Sequence, residues 1–476
     1  MNYGIFDILK LIGSLCLFLY GMKIMSEGIQ KLAGDKMRSI LSAITANRFF
    51  AVITGLFITT LVQSSSASTV MVVSFVNAGL LNLTQAIGVI MGANIGTTTT
   101  AWIISLLGFK FSISMISIPI IGVAFPMLFS KKDLWLSLGQ TLIGFALLFL
   151  GLDYLKGSVP DLQSNPEMFE FLQDINGYGF GSVLLFLGLG TLLTIVLQSS
   201  SATMALTLVM CNNGWIGFDA GAAIVLGENI GTTITANLAA LVGNAYAKRA
   251  ALAHTMFNMI GVIWMLIVLP FVISAIDNSM LSMGMHSPLT DREAIPIALS
   301  IFHTSFNITN TVLLVGFIGF IEKAVSKVFP VKEKADKQIH LEYFGSGFLH
   351  TAELSLLQAR KETRKYAELS HRMVKFVEEM ITESDKTSFN NTVERVEKYE
   401  DISDKIEIEI TNFLIKVGRQ QVSNETSEKL RRLRRICNEI EKMGDVSYKM
   451  STMLKAKKDD KTYFTPQQRE QLSEIF

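Results

Sequence analysis

The sequence predicts an all-α protein in two parts, a polytopic membrane region followed by a soluble antiparallel helical bundle. Three observations carry that expectation. Half of the 476 residues are hydrophobic. The charge is unevenly placed: residues 1–321 hold 13 Lys/Arg and 14 Asp/Glu, whereas residues 322–476 hold 29 and 27 in less than half the length. Such a split implies two solvents, lipid and then water. Thirdly, a polar block, Gln-Ser-Ser-Ser-Ala, occurs twice inside long apolar runs.

Apolar segments of spanning length fall near 5–25, 83–108, 112–130, 134–155, 220–243, 250–275 and 294–321. The first lacks a basic leading region and a small-residue cleavage site, so it reads as a retained helix rather than a signal peptide. Segments 49–79 and 181–213 contain the polar blocks. Each is about 30 residues, long for a crossing of roughly 20, and the expectation for each is a re-entrant hairpin of two half-helices. With both hairpins in place, the loop expected at 26–48 with Lys31, Lys36, Arg38 and Arg48, the clusters Lys131/Lys132 and Lys248/Arg249, and the charged tail all fall on the cytoplasmic side. Lys110 is the exception, and the acidic loop 156–180 falls outside. The domain plan is a transport region 1–325 with repeat units around 47–110 and 182–245, a linker 326–344, and a cytoplasmic bundle 345–476.

Aligning residue i with i+135 from Gly55–Gly108 to Gly190–Gly243 requires no gap, and 19 of 54 positions are identical. Identity concentrates at polar and glycine positions: Gln63-Ser64-Ser65-Ser66 with Gln198-Ser199-Ser200-Ser201, and Gly92-Ala-Asn-Ile-Gly-Thr-Thr with Gly227-Glu-Asn-Ile-Gly-Thr-Thr. Shared hydrophobicity would not produce that pattern, so the segment is duplicated. Three spans between the hairpins reverse the orientation of the second copy, which predicts inverted repeats of the kind secondary transporters use for alternating access.

An unpaired polar group in hydrocarbon costs several kcal/mol, so two retained QSSS tips imply a guest. Helix N-termini and hydroxyls favour an anion, while carboxamide, hydroxyl and unwound carbonyl oxygens suit a small hard cation. Candidate binding residues are Gln63, Ser64, Ser65, Ser66, Gln198, Ser199, Ser200 and Ser201. Asn94, Thr97, Thr98, Asn229, Thr232 and Thr233 join them, with Gly96 and Gly231 expected to tolerate a helix break or to serve close helix packing. Glu228 replaces Ala93 of the first copy and is the one carboxylate well inside an expected span, a functional position by default. "HTMFN" (His254–Asn258) and "HTSFN" (His303–Asn307) place His and Asn on one helix face; the expectation is support of the site from outside it.

Several classes are excluded. The net charge of +1 and the absence of a basic, aromatic-studded stripe argue against a nucleic-acid partner. Cys16, Cys211 and Cys437 fit no zinc or redox spacing. No Walker loop, nucleotide fingerprint or Ser-His-Asp order appears, so the chain reads as a carrier and not an enzyme.

The paired QSSSA, the N-I-G-T-T blocks and the H-x-x-F-N helices resemble the type II sodium–phosphate cotransporter family, over roughly residues 5–321. The resemblance implies sodium-coupled symport of inorganic phosphate in the cell membrane, with Na+ as coupling ion and the QSSS segments forming the substrate and sodium region. Residues alone give a small-anion or ion carrier; a carrier for another anion, or a membrane-anchored regulator, are the alternatives. The short 156–180 loop points to a bacterial-type member.

In the tail, apolar residues recur at helical spacing through Leu356, Ala359, Tyr366, Met373 and Met380, then Val396, Tyr399, Ile406, Ile410, Phe413 and Val417, then Leu430, Leu433, Cys437 and Ile440. Asn390-Asn391 and Ser423-Asn424 are the expected breaks. Glu400/Asp404 and Glu441/Asp445 form i,i+4 carboxylate pairs, which repel unless a cation lies between them. E-x-x-x-D on successive helices resembles the PhoU family, and that likeness implies a divalent or transition metal on these four residues. The tail corresponds to about one three-helix unit where PhoU proteins have two, which leaves room for a homo-oligomer through the bundle.

Overall fold

The computed structural model describes residues 4–42, 47–77, 81–110, 113–158, 179–241, 243–330, 352–419, 422 and 424–473. Every regular element among them is helical. The chain forms two compact units, Met1–Lys332 and Glu333–Phe476.

The first unit comprises α1 (Ile5–Ser42), α2 (Arg48–Val62), α3 (Ser65–Asn77), α4 (Leu83–Trp102, prolonged by π-helical turns Ile103–Lys110), α5 (Ser114–Ala124), α6 (Asp133–Ser158), α7 (Phe180–Leu197), α8 (Ser200–Asn212), α9 (Phe218–Ala240), α10 (Ala245–Ser282), α11 (Ile295–Val315) and α12 (Ile318–Val328). Among the described residues, six stretches are long and apolar enough to cross a membrane: Ile5–Leu32, Leu83–Lys110, Asp133–Ser158, Phe180–Leu197, Ala245–Ser282 and Arg292–Val315. The protein is therefore a multi-pass membrane protein.

This set departs from the sequence expectation in four places. Segment 112–130 is no full span: α5 holds Pro119 and yields to a 3-10 turn, Phe125–Phe129, because proline removes a helix hydrogen bond and crowds the preceding turn. The expected 26–48 loop is largely the continuation of α1. The span expected at 294–321 stops at Val315. α7, taken as half of a hairpin, has 18 residues and is by itself apolar enough to cross. The acidic loop lies mostly outside the described residues, as does much of the 326–344 linker.

Glycine decides how the repeats pack. A Cβ on Gly92 would lie 1.8 Å from the Val52 carbonyl oxygen, and one on Gly227 would lie 2.0 Å from that of Leu187. α4 therefore rides directly on α2, and α9 on α7. Gly96 and Gly231 do the same against Leu56/Thr59 and Thr191/Thr194, and α4 and α9 run unbroken through them. The helix break considered for the N-I-G-T-T blocks does not occur; close backbone approach is what these glycines serve. Each of these glycine contacts has its counterpart 135 residues on, so the close helix packing is duplicated along with the sequence.

In the second unit, α13 (Ala352–Thr382), α14 (Lys386–Gly418) and α15 (Asn424–Asp459) share one core that includes Tyr366, Met373, Val396, Ile410, Leu433 and Cys437; a short α16 (Pro466–Ser473) follows. Asn390-Asn391 lie inside α14, not in a break. The turn falls earlier, where the Asp385 side chain caps α14 by accepting from Ser388 N–H at 2.7 Å; a carboxylate at the N-cap outcompetes two asparagines that a helix tolerates at modest cost. Ser423 lies outside the described residues.

Candidate functional site: two polar tips that meet

Both QSSS blocks interrupt their helices in the same way. Gln63 and Gln198 adopt left-handed backbones (φ 51° and 50°), a conformation that costs a residue with a Cβ about 1–3 kcal/mol. The next serine caps the new helix: Ser64 Oγ accepts from Ala67 N–H and Ser199 Oγ from Ala202 N–H, both at 3.2 Å. α3 and α8 thus begin at Ser65 and Ser200 with backbone N–H groups and a positive dipole end directed into the protein. There the two copies touch. Ser65 Oγ and Ser200 Oγ, equivalent positions of the repeat, lie 3.3 Å apart, and both residues are buried. The contact thus joins equivalent positions of the two copies. Ser201 is also buried and Ser66 half-buried.

The flanking polar groups are differently engaged. Gln63 is buried; its Nε2 donates to Thr60 O (2.6 Å) and Thr99 Oγ1 (3.3 Å), and its Oε1 accepts from Thr100 Oγ1 (3.1 Å). Thr99 and Thr100 are hydrogen-bond partners of Gln63 that the sequence reading passed over, although both lie in the block that begins at Gly92. Gln198 is exposed and makes no side-chain hydrogen bond to a described residue. Thr97, Thr98, Thr232 and Thr233 turn their hydroxyls onto their own helices, to Ala93 O, Ile95 O, Glu228 O and Ile230 O at 2.8–3.0 Å. This back-bonding satisfies the hydroxyls without help from the site.

Asn94 and Asn229 donate from Nδ2 to Ile90 O (2.9 Å) and Val225 O (2.8 Å). Asn258 and Asn307 do the same to His254 O (3.1 Å) and His303 O (3.0 Å). Glu228 is buried, with Oε2 unpartnered. The H-T-x-F-N helices pack beside the tips, α10 against α3 and α11 against α8.

With this geometry in hand, the comparisons with known proteins decide the family. Residues 17–157 and 169–287, more than half of the chain, match the Na+/Pi-cotransporter family, and residues 363–454 match the PhoU domain. The chain belongs to the Na+/Pi-cotransporter family. YjbB of Escherichia coli O157:H7, by its name a candidate inorganic phosphate export protein, is 26% identical over 448 residues, covering 94% of this chain and 77% of the relative. YqeW of Bacillus subtilis, whose name states no function, is 31% identical over 318 residues, 66% of this chain and 96% of the relative. Human sodium-dependent phosphate transport protein 2B is 42% identical over 107 residues, 22% of this chain and 15% of the relative. No solved structure matches. The family is one of transporters, not enzymes.

The PhoU-matching unit brings three of its four expected acids together. Carboxylate oxygens of Glu400, Asp404 and Asp445 lie within 4.8 Å of one another. Partial burial, then the neighbouring carboxylates, push Glu400 and Asp404 above the usual carboxylate range. Glu441 is raised for the same reasons, desolvation first and then Asp445 and Asp404. None of the four pairs with a described Lys or Arg. An all-carboxylate donor set of this kind fits a hard divalent cation.

Proposed function

We propose that this chain carries inorganic phosphate together with sodium across the cell membrane by alternating access. The 3.3 Å approach of Ser65 Oγ to Ser200 Oγ carries the reading: two helix N-termini and a cluster of hydroxyls converge on one point without a basic side chain among the candidate binding residues. Phosphate oxygens accept from the N–H groups at the starts of α3 and α8 and from the serine hydroxyls. Sodium supplies the compensating charge, held by oxygens of the Gln, Asn and Thr residues around the tips and by Glu228. Coupling follows because neither ion is stable there alone. Inverted repeats, each with a re-entrant QSSS hairpin, let one half open while the other stays shut. The Lys/Arg distribution supports a cytoplasmic PhoU-like bundle, and its acids support a regulatory divalent cation there.

The ion gradients set the direction. YjbB's name favours export as the direction in the cell, and a symporter runs outward when phosphate accumulates inside. The test is radiolabelled phosphate flux in proteoliposomes with sodium gradients imposed in either direction. Flux following the sodium gradient both ways is the expected result; flux indifferent to sodium sinks the coupled reading and leaves a uniporter or channel.

A further inference from the structure

Lys110, the exception to the sidedness of Lys and Arg, lines a cavity. The cavity measures about 550 Å³ and opens where the α4 segment, α6, α8 and α10 end and α11 begins. Ser105, Phe109, Lys156, Asn212 and His286 share its walls with Lys110. Because α6 and α10 begin beside Lys131/Lys132 and Lys248/Arg249, the cavity lies at the far end of both helices from those clusters. Its position coincides with a difference between the copies. At the 135-residue offset Asn212 corresponds to Asn77, and Phe109 to Asn244. Asn244 N–H donates to Asn77 Oδ1 at 2.8 Å, and Asn244 Nδ2 donates to the Asn77 carbonyl at 3.0 Å. Phe109 has no side-chain amide with which to repeat the second bond, and Phe109 and Asn212 line the cavity instead.

The cations here are unevenly answered. Lys156 lies over the Phe109 ring at 3.9 Å, donates to the Gly108 carbonyl, and has Asp153 one turn before it. Lys110 is exposed and has no ion pair among the described residues. Arg292 stands between two lining acids, Asp291 and Glu293, and lies over Gly214, two residues past Asn212. A Cβ on Gly214 would fall 2.3 Å from the guanidinium carbon, and Gly214 itself has φ +80°, so glycine is needed there twice over. Arg292 opens the turn that leads into α11, where a cation opposes the helix dipole, so helix stability does not account for it. Asp291 is already engaged, by His286 Nδ1 at 3.1 Å and by the Glu293 N–H at 2.9 Å, which leaves Glu293 as the other acid on the wall. Two cations without an ion pair among the described residues, at a cavity with a carboxamide in its wall, suit a small multivalent oxyanion.

We propose that this cavity is a second binding site for inorganic phosphate, separate from the QSSS tips and independent of sodium, with Lys110 and Arg292 supplying the charge. Its use as a waiting position for the tips rests on the transport reading above; its occupancy by phosphate does not. The experiment is equilibrium binding of 32P-labelled phosphate to the purified full chain in sodium-free choline buffer, where the tips lack their compensating cation. Wild type is expected to bind one phosphate, more weakly as ionic strength rises. Lys110→Gln and Arg292→Gln, both at exposed side chains, each weaken binding by about two- to fivefold, and Lys110→Glu with Arg292→Glu removes it. Ser65→Ala with Ser200→Ala leaves it in place. Phosphatidylglycerol added at a few molecules per chain leaves it in place as well, which separates free phosphate from a lipid headgroup. Wild type without sodium-free binding, a monodisperse charge-reversed variant that binds like wild type, loss of binding in the serine variant, or displacement by the lipid each overturns the proposal. Sodium-driven flux, measured separately, reports on the transport reading alone.

Discussion

The two repeats share a backbone and differ in what their side chains do. In the first, Gln63 is buried in bonds to Thr60, Thr99 and Thr100, and α1 seals the break by donating from Ser26 Oγ to the Val62 carbonyl. In the second, Gln198 is exposed and makes no side-chain hydrogen bond to a described residue, while a buried carboxylate, Glu228, stands where the first has Ala93. Thr194 Oγ1 bonds Thr203 Oγ1 at 3.0 Å in the second half, whereas its equivalent Thr59 has no partner in the first. The same frame thus carries different side-chain bonds in its two copies.

That comparison can be broken at its symmetric parts first. Gly92→Ala and Gly227→Ala put a Cβ into a backbone carbonyl in both halves. Each should destabilise by at least the upper end of the roughly 1–3 kcal/mol typical of overpacking, read as loss of monodisperse protein on size-exclusion chromatography. If one tolerates alanine and the other does not, the halves are not congruent. Next, Ser65→Ala and Ser200→Ala should reduce sodium-driven phosphate flux by similar factors, about 10–150-fold each for one hydrogen bond to a charged group. Equal losses support a shared site; loss from one alone would assign the anion to a single repeat.

The asymmetric parts sharpen the contrast. Gln63→Ala strips three hydrogen bonds from a buried site and should lower thermal stability by about 1–3 kcal/mol. Gln198→Ala should leave stability within about 0.5 kcal/mol and change flux instead. Glu228→Gln should alter the sodium dependence of transport without affecting folding; an unchanged dependence in well-expressed protein removes Glu228 from the coupling.

The smallest effect belongs to the helical unit. Glu400, Asp404 and Glu441 are raised in the folded state, so their ionisation opposes folding. The stability they contribute is present below the ordinary carboxylate range and falls as pH rises through their elevated values. Thermal melts of the full chain should show the helical unit gaining stability towards mildly acidic pH. Magnesium or manganese at neutral pH should replace that gain, and Asp404→Asn should abolish the metal effect.

Which of these features the sequence disclosed follows from what each residue does. The QSSS tips were legible because polar residues in lipid are costly and their repetition at constant offset is improbable without a function. The helical class and the apolar spans were legible because hydropathy and helical spacing report burial directly. The N-I-G-T-T glycines were ambiguous, since a break and a close approach both require glycine, and only the neighbouring helix decides. Pro119 ended an apolar run that composition alone read as a span. Whether Gln63 and Gln198 are hydrogen-bonded is a property of packing, and identical motifs cannot reveal it.

The central claim is that the two tips meet around the transported anion. The most direct measurement is oxidative cross-linking of a Ser65→Cys/Ser200→Cys variant in proteoliposomes, with Cys16, Cys211 and Cys437 replaced and a protease site introduced between the repeats. The account predicts rapid intramolecular cross-linking, loss of phosphate flux when the bridge forms, recovery on reduction, and slowing of the cross-link by phosphate with sodium. A chain that does not cross-link, or one whose cross-linking rate ignores phosphate and sodium, would contradict it.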